Sequence, residues 1–237
     1  MAYNTNLKSG QKSFNDLMNN GFGIVTVMDA FVCDAIPVKK LKQLTAYQIA
    51  SKSYAVGSEI DFGKIAETDT NSVKVKVHCK LDTLKIANVT QEGPTKTVTG
   101  GQFSNPLIKF GKSARLEMQD ALGSAEAVEQ LCGGFMEWNT AKDDNIVGLH
   151  FGEDFQGPKM IIGDSFFIDR KSGQQVKVKI VFYQFLPDSI FNLTQDAEGD
   201  ASVFDMNGDL LTSVIKVDNN KTHGVFYSIV DPKEVQA

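Results

Sequence analysis

"LIKFGKSARLEMQDALGSAEAVEQLCGG", Leu107 to Gly134, decides between two kinds of protein. It contains Gly111-Lys112-Ser113, the ending of a phosphate-binding loop. Such a loop needs a glycine five positions before its second glycine, so that successive backbone N–H groups can wrap the phosphates. That position holds Pro106, which has no N–H. The loop must also run straight into a helix whose N-terminus faces the phosphate. Here Ala114, Leu116 and Met118 alternate with Arg115, Glu117 and Gln119. A period of two marks a half-buried strand. Lys112 therefore leads into a strand and holds no nucleotide.

The same stretch then changes period. Ser124 can cap a helix, and Glu126 falls in the first turn, where a carboxylate favours the dipole. Val128, Leu131 and Cys132 form an apolar stripe, and Gly133-Gly134 stop it. The spacing predicts a short helix over Ser124–Cys132.

Outward from there, strands dominate. In Ser72 to Ile86, Val73, Val75, Val77, Cys79 and Leu81 share one face, and Lys74, Lys76, His78 and Lys80 the other. Gln175 to Asp188 starts with the same alternation, but Val181, Phe182, Tyr183 and Phe185 are apolar on both faces. That end is expected to be covered twice, by the core and by something else. Met160–Ile168 and Ile146–Phe151 read as shorter strands, and Lys171 to Gln175 as a tight turn with Gly173 supplying positive φ. Gly21 to Ile36 reads as one or two strands. Pro37 to Tyr54 fits either helical spacing (Val38, Leu41, Leu44, Ile49) or a solvated basic turn before a strand. Residues 1–20 are polar and Asn-rich and read as an arm, although Phe14, Leu17 and Met18 would share one helical face. The expectation is one β-rich domain over 21–237, with a long assembly loop around 39–63.

Composition excludes several classes. The net charge of −5 argues against non-specific attraction to nucleic acid, which needs clustered Lys and Arg. The first residues lack the apolar core of a signal peptide, and no apolar run approaches bilayer-spanning length, so no membrane is expected. Cys33, Cys79 and Cys132 are odd in number and lack CxxC spacing, which fits a reducing compartment. The Asn-x-Thr triplets at Asn88, Asn192 and Asn220 then carry no glycan.

Catalytic chemistry finds no foothold. His78, His150 and His223 are far apart, and Cys79, beside His78, falls on the opposite strand face. A nucleophile elbow, a dinucleotide fingerprint and a His-Glu-x-x-His motif are all missing from the sequence. "DMNGDLL", from Asp205, imitates a calcium loop, but its sixth position is Leu210 and its twelfth Lys216. An Asn-Gly turn joining two strands is the stronger reading. The expectation is no enzyme, no cofactor and no metal. One bias remains: between Asp188 and Asp218 seven acids face one base, Lys216. They form either a solvated acidic loop or a surface that must not hold a polyanion.

"TGGQFSNPLIKFGKSARLEMQDALGSAEAVEQLCGG" resembles a segment of the major tail proteins, the tail-tube subunits, of long-tailed phages of Gram-positive hosts. The matching features are Gly100-Gly101-Gln102, Asn105-Pro106-Leu107, Leu116 and Asp120-Ala121-Leu122. Stretches starting at Val32 and at Val181 are similar to the family's early and closing strands. The first turn departs from the family, with Thr99 where a charged residue is usual. The resemblance implies a mainly β, sandwich- or barrel-like tail-tube fold with one flanking helix and long loops. It implies a virion protein, made in the bacterial cytoplasm, that forms hexameric rings stacking into the tube through which DNA is ejected. Implied partners are further copies, a tape measure protein, tail initiator and terminator proteins, and DNA passing without specific binding. On this reading Asp196, Glu198 and Asp200 line the lumen or an exposed loop. Lys42, Tyr47, Lys52 and Tyr54 are candidates for the ring-to-ring contact. The alternatives are another virion component (capsid decoration, head fibre or baseplate) and a soluble ligand-binding β-barrel.

Overall fold

The structure is a computed structural model that describes residues 22–24, 29–64, 72–82, 84–93, 95–97, 107–109, 111–120, 124–139, 145–152, 156–169, 173, 175–188, 204–218 and 221–231. The fold is mainly β. At its centre lies the hairpin of β11 (Lys159–Asp169) and β12 (Gln175–Pro187), within a ten-stranded sheet. Gly173 turns between them with φ of 68°, as the sequence requires. Each hairpin strand has two partners on its outer edge. β11 pairs with β2 (Asp29–Asp34) along its first half and with β1 (Phe22–Ile24) at its end. β12 pairs with β16 (Tyr227–Val230) over Lys179–Phe182, then with β13 (Phe204–Leu210) over Phe185–Pro187. The order continues from β2 to β4 (Lys74–Leu81) and β3 (Glu59–Asp61), and from β13 to β8 (Ser113–Asp120) and β5 (Leu84–Glu92).

β4 and β5 thus stand near opposite ends of the strand order, yet only residues 82 and 83 separate them. Three peptide steps span at most about 11 Å. The sheet must therefore roll until its ends approach. β4 and β5 do not pair with each other, so the roll stays open rather than closing as a barrel. Ser72 to Ile86 is accordingly not one strand. It breaks at Asp82, where the chain crosses from one end of the sheet to the other.

Two clusters of buried side chains use the two faces of the sheet. One holds Val32, Leu81, Leu116, Met118, Phe182 and Phe185. Helix α3 (Ala125–Cys132) adds Ala127 and Leu131 to it and packs on β4. The helix forms where the sequence predicts. The Ser124 hydroxyl accepts the Ala127 N–H at 3.1 Å, and Gly133 closes the far end with φ of 74°. Its buried stripe is Ala127, Val128 and Leu131, with Cys132 half-buried at the edge.

The second cluster corrects two expectations. Residues 39–63 are not a long loop. They fold as α1 (Val38–Leu41), α2 (Ala46–Ala50) and β3, and bury Leu41, Leu44, Ile49, Ala50, Tyr54 and Ile60. The helical spacing behind Pro37 prevails because Thr45 and Gln48 form a reciprocal cap. The Gln48 N–H donates to the Thr45 hydroxyl at 3.2 Å, and the Thr45 N–H donates to the Gln48 side chain at 2.9 Å. These residues, with Ile215 of β14 (Ser213–Asp218), cover Val181 and Tyr183. The second cover over the two-faced end of β12 is thus the chain itself, not a neighbour.

"DMNGDLL" is a further correction. Phe204–Leu210 is one continuous strand, so Asn207-Gly208 is no turn. Met206, Gly208 and Leu210 point inward while Asp209 is exposed. Glycine is required because a Cβ at position 208 would press into the Leu186 carbonyl oxygen and fall 2.7 Å from the Phe185 ring. Around Gly111-Lys112-Ser113 the chain enters β8 with Lys112 exposed, and a strand follows where a phosphate loop needs a helix. Three small hairpins complete the described residues. β6 (Thr95–Thr97) pairs β7 (Leu107–Lys109), β14 pairs β15 (Lys221–Val225), and β9 (Gly134–Asn139) pairs β10 (Asn145–Phe151).

Candidate assembly surface

The β9/β10 hairpin stands outside the large sheet and starts directly after α3. Its register sets its two faces. Trp138 lies opposite Ile146 and Met136 opposite Leu149, giving one apolar face. Phe135 lies opposite His150 and Glu137 opposite Gly148, giving a mixed face. A bulge at Val147 lets both rows keep their sides across the shift in register. On the mixed face the Phe135 and His150 rings stack at 5.0 Å, and His150 Nε2 lies 2.9 Å from Glu137 Oε2. A Cβ at Gly148 would come 2.8 Å from His150 Nε2, so glycine leaves room for that ring.

A core hairpin would hide its large apolar side chains. This one exposes Phe135 at 55%, Trp138 at 46%, Ile146 at 43% and Val147 at 57%. Single exposed apolar residues are ordinary, but several on one hairpin, here on both of its faces, mark an interaction surface. The hairpin is also held in place at its base. Glu129 of α3 accepts the Met136 N–H at 3.4 Å. At the next residue, Gln130, Lys159, almost fully buried, donates to the side-chain Oε1 at 2.5 Å and also lies 3.7 Å from Asp34 Oδ1. His78 Nε2 meets the same Asp34 oxygen at 2.7 Å. This chain of polar contacts ties α3 to β11, β2 and β4, and so fixes where the hairpin leaves the body.

A second exposed apolar set lies on the other face of the sheet, where α1 packs against β14. The Lys216 N–H donates to the Leu44 carbonyl at 3.0 Å and holds the two segments together. Val38 and Val217 are exposed here at 48% and 55%, with Leu211 at the start of the β14 segment at 40%. Lys39 and Lys42 are exposed beside them.

The candidate contact residues divide. Lys42 is exposed; Tyr47 and Lys52 are half-buried. Tyr54 is a core residue: its hydroxyl donates to the Ile49 carbonyl at 2.8 Å, and burial pushes its pKa up. Lys179, its own pKa lowered by burial, lies 5.2 Å above the Tyr54 ring. Tyr54 therefore has no side chain to offer a partner. Asp196, Glu198, Asp200 and residues 1–20 lie outside the described residues. Two of the acids counted between Asp188 and Asp218 are matched by a base from β8. Arg115 donates to Asp188 at 2.6 Å and to Asp209 at 3.3 Å, and the Asp188 bond holds its pKa up. The linear count of acids overstated the free negative charge because a strand distant in sequence supplies the counter-ion.

The hairpin itself went unrecognised in the sequence: Ile146–Phe151 reads as a strand, but its partner "GFMEWN" was missed, although Phe135, Met136 and Trp138 are residues that strands favour. Among the described residues no helix is long and apolar enough to cross a membrane, and no three His, Cys, Asp or Glu side chains are placed to hold a metal ion.

The chain matches no protein-family model and no curated protein. Among solved structures it is similar to a chain of the anti-feeding prophage (AFP) baseplate, 6-fold symmetrised. That similarity has 9% identity and a TM-score of 0.27, and covers 77% of this chain and 99% of the other. At that TM-score the likeness carries no argument, and the function proposed below rests on the residues and their geometry.

Proposed function

We propose that this chain is a virion structural protein, a tail-tube subunit that assembles with copies of itself into stacked rings. The observation that supports it is the β9/β10 hairpin: a two-stranded sheet, fixed at its base by α3, holding Phe135, Trp138, Ile146 and Val147 in water. An isolated two-stranded hairpin is marginal in water, and one with such a surface gains most of its stability from a partner. The sequence resemblance to tail-tube subunits supplies the kind of partner: more of the same chain. The role is structural rather than catalytic, and DNA passes through the assembled bore without being held.

Negative-stain imaging and sedimentation of the concentrated protein test this, alone and mixed with a tail initiator. Hollow tubes of constant diameter are the expected result. Closed small oligomers would point instead to a decoration or baseplate role. A protein that stays monomeric under every condition, and is absent from virion tails, would remove the reading.

A further inference from the structure

The exposed large apolar residues among those described fall mainly into two groups, one on β9/β10 and one on α1 and the β14 segment, with Val56 in a turn after α2. The two groups belong to opposite faces of the large sheet. The hairpin continues from α3, which covers the face holding Leu116 and Phe182; α1 and β14 cover the face holding Val181 and Tyr183. They differ in charge as well. Lys39 and Lys42 stand exposed on the α1 side, and residues 35–58 contain four lysines and no acid. The hairpin's own described acid is Glu137, 60% exposed in its side chain beside His150.

We infer that the hairpin of one copy docks on the α1/β14 surface of the next. The mixed face makes the contact: Phe135 covers Val38 and Val217, and Glu137, on the same face of the hairpin, faces Lys39 and Lys42. A second copy is the occupant because one chain carries both halves of the match, apolar to apolar and acid to base. A contact between opposite faces of the same chain is heterologous: making it leaves a free hairpin at one end and a free α1/β14 surface at the other. Such contacts repeat without self-limit unless a ring closes them. Charge pairing sets the register of the contact, while the apolar side chains supply most of its free energy. The inference rests on the assembly role proposed above and names its interface.

Charge exchange tests it. Glu137→Lys alone, and Lys39→Glu with Lys42→Glu, each place like charges across the contact. Each variant is expected to raise the concentration at which half the protein sediments as assemblies about tenfold. The three changes together restore opposite charges and are expected to return it to within about threefold of wild type. Far-UV circular dichroism and urea midpoints check that each variant is folded. A photo-crosslinking residue in place of Phe135, on the Glu137 face, gives a second measurement that needs no charge change. Crosslinks to residues 38–44 or 211–218 of another copy support the contact. Wild-type assembly with no effect of either reversal, no rescue by the combination, or crosslinks from hairpin to hairpin or to an initiator protein alone would overturn this contact and leave the assembly role standing. A wild-type protein that never assembles would remove both.

Discussion

Gly208→Ala is the most discriminating single substitution in the core. Gly208 sits inside β13, opposite Pro187 of β12 on one side and Leu116 of β8 on the other. An added Cβ would press into the Leu186 carbonyl oxygen and lie 2.7 and 2.8 Å from two carbons of the Phe185 ring. Neither neighbour can yield easily. The carbonyl is backbone, and Phe185 is fully buried. Overpacking of this kind costs about 1–3 kcal/mol, set against a gain of about 0.5–1 kcal/mol from the reduced freedom of the unfolded chain. A backbone clash places the cost at the upper end, so a net loss of about 2 kcal/mol is expected. With a urea slope of about 2–3 kcal/mol/M, the midpoint falls by roughly 0.7–1 M. Far-UV circular dichroism of the unassembled subunit measures it, with Gly111→Ala as control, since a Cβ there meets nothing within 4 Å. Gly208→Asn separates the two readings of this segment. In an Asn-Gly turn, asparagine tolerates positive φ and costs less than alanine; in a packed strand it costs more. A Gly208→Ala protein within about 0.5 kcal/mol of the control, or Asn milder than Ala, would refute the close packing of β13 on β12.

Three further outcomes follow from the same structure. Leu131→Ala, removing a fully buried side chain from the stripe of α3, is expected to cost about 2–5 kcal/mol, and Ser124→Ala about 1 kcal/mol by loss of the cap; a Leu131→Ala loss below about half a unit in urea melts would take the helix out of the core. Burial raises Tyr54, raises Tyr183 from 10.0 to about 12, and raises Cys33 from 9.0 to about 12. The fold thus keeps the neutral forms, and their contribution is whole below pH 9 and is lost as pH climbs from 9 toward 12, so a urea midpoint that stays flat to pH 11 would contradict their burial. Lys112→Ala should leave the calorimetric response to ATP unchanged and absent; low-micromolar binding that the substitution abolishes would restore the phosphate loop.

What the sequence shows and what it hides divide along a physical line. Period and capping are local, so α3 with its Ser124 cap, the turn at Gly173 and the strands around Val75 and Val178 are all legible. Two features escape because they depend on distant segments: the jump between β4 and β5, set by the roll of the sheet, and Gly208, set by a ring two strands' length away in sequence. The most instructive misreading concerns cover. Val181 to Phe185 reads as a surface awaiting a neighbour, yet α2 and Ile215 of the same chain cover Val181 and Tyr183, while Phe182 and Phe185 join the core on the other face. Ile146 to Phe151 reads as an ordinary short strand, yet Ile146 and Val147 remain exposed. An apolar pattern reports that a side chain is to be covered, not which chain covers it, because transfer from water has no memory of chain connectivity. The folded chain is what separates the two: the apolar residues it buries belong to its own core, and those it leaves in water, on the anchored hairpin and on the α1/β14 surface, are the ones to which the proposed assembly assigns a partner.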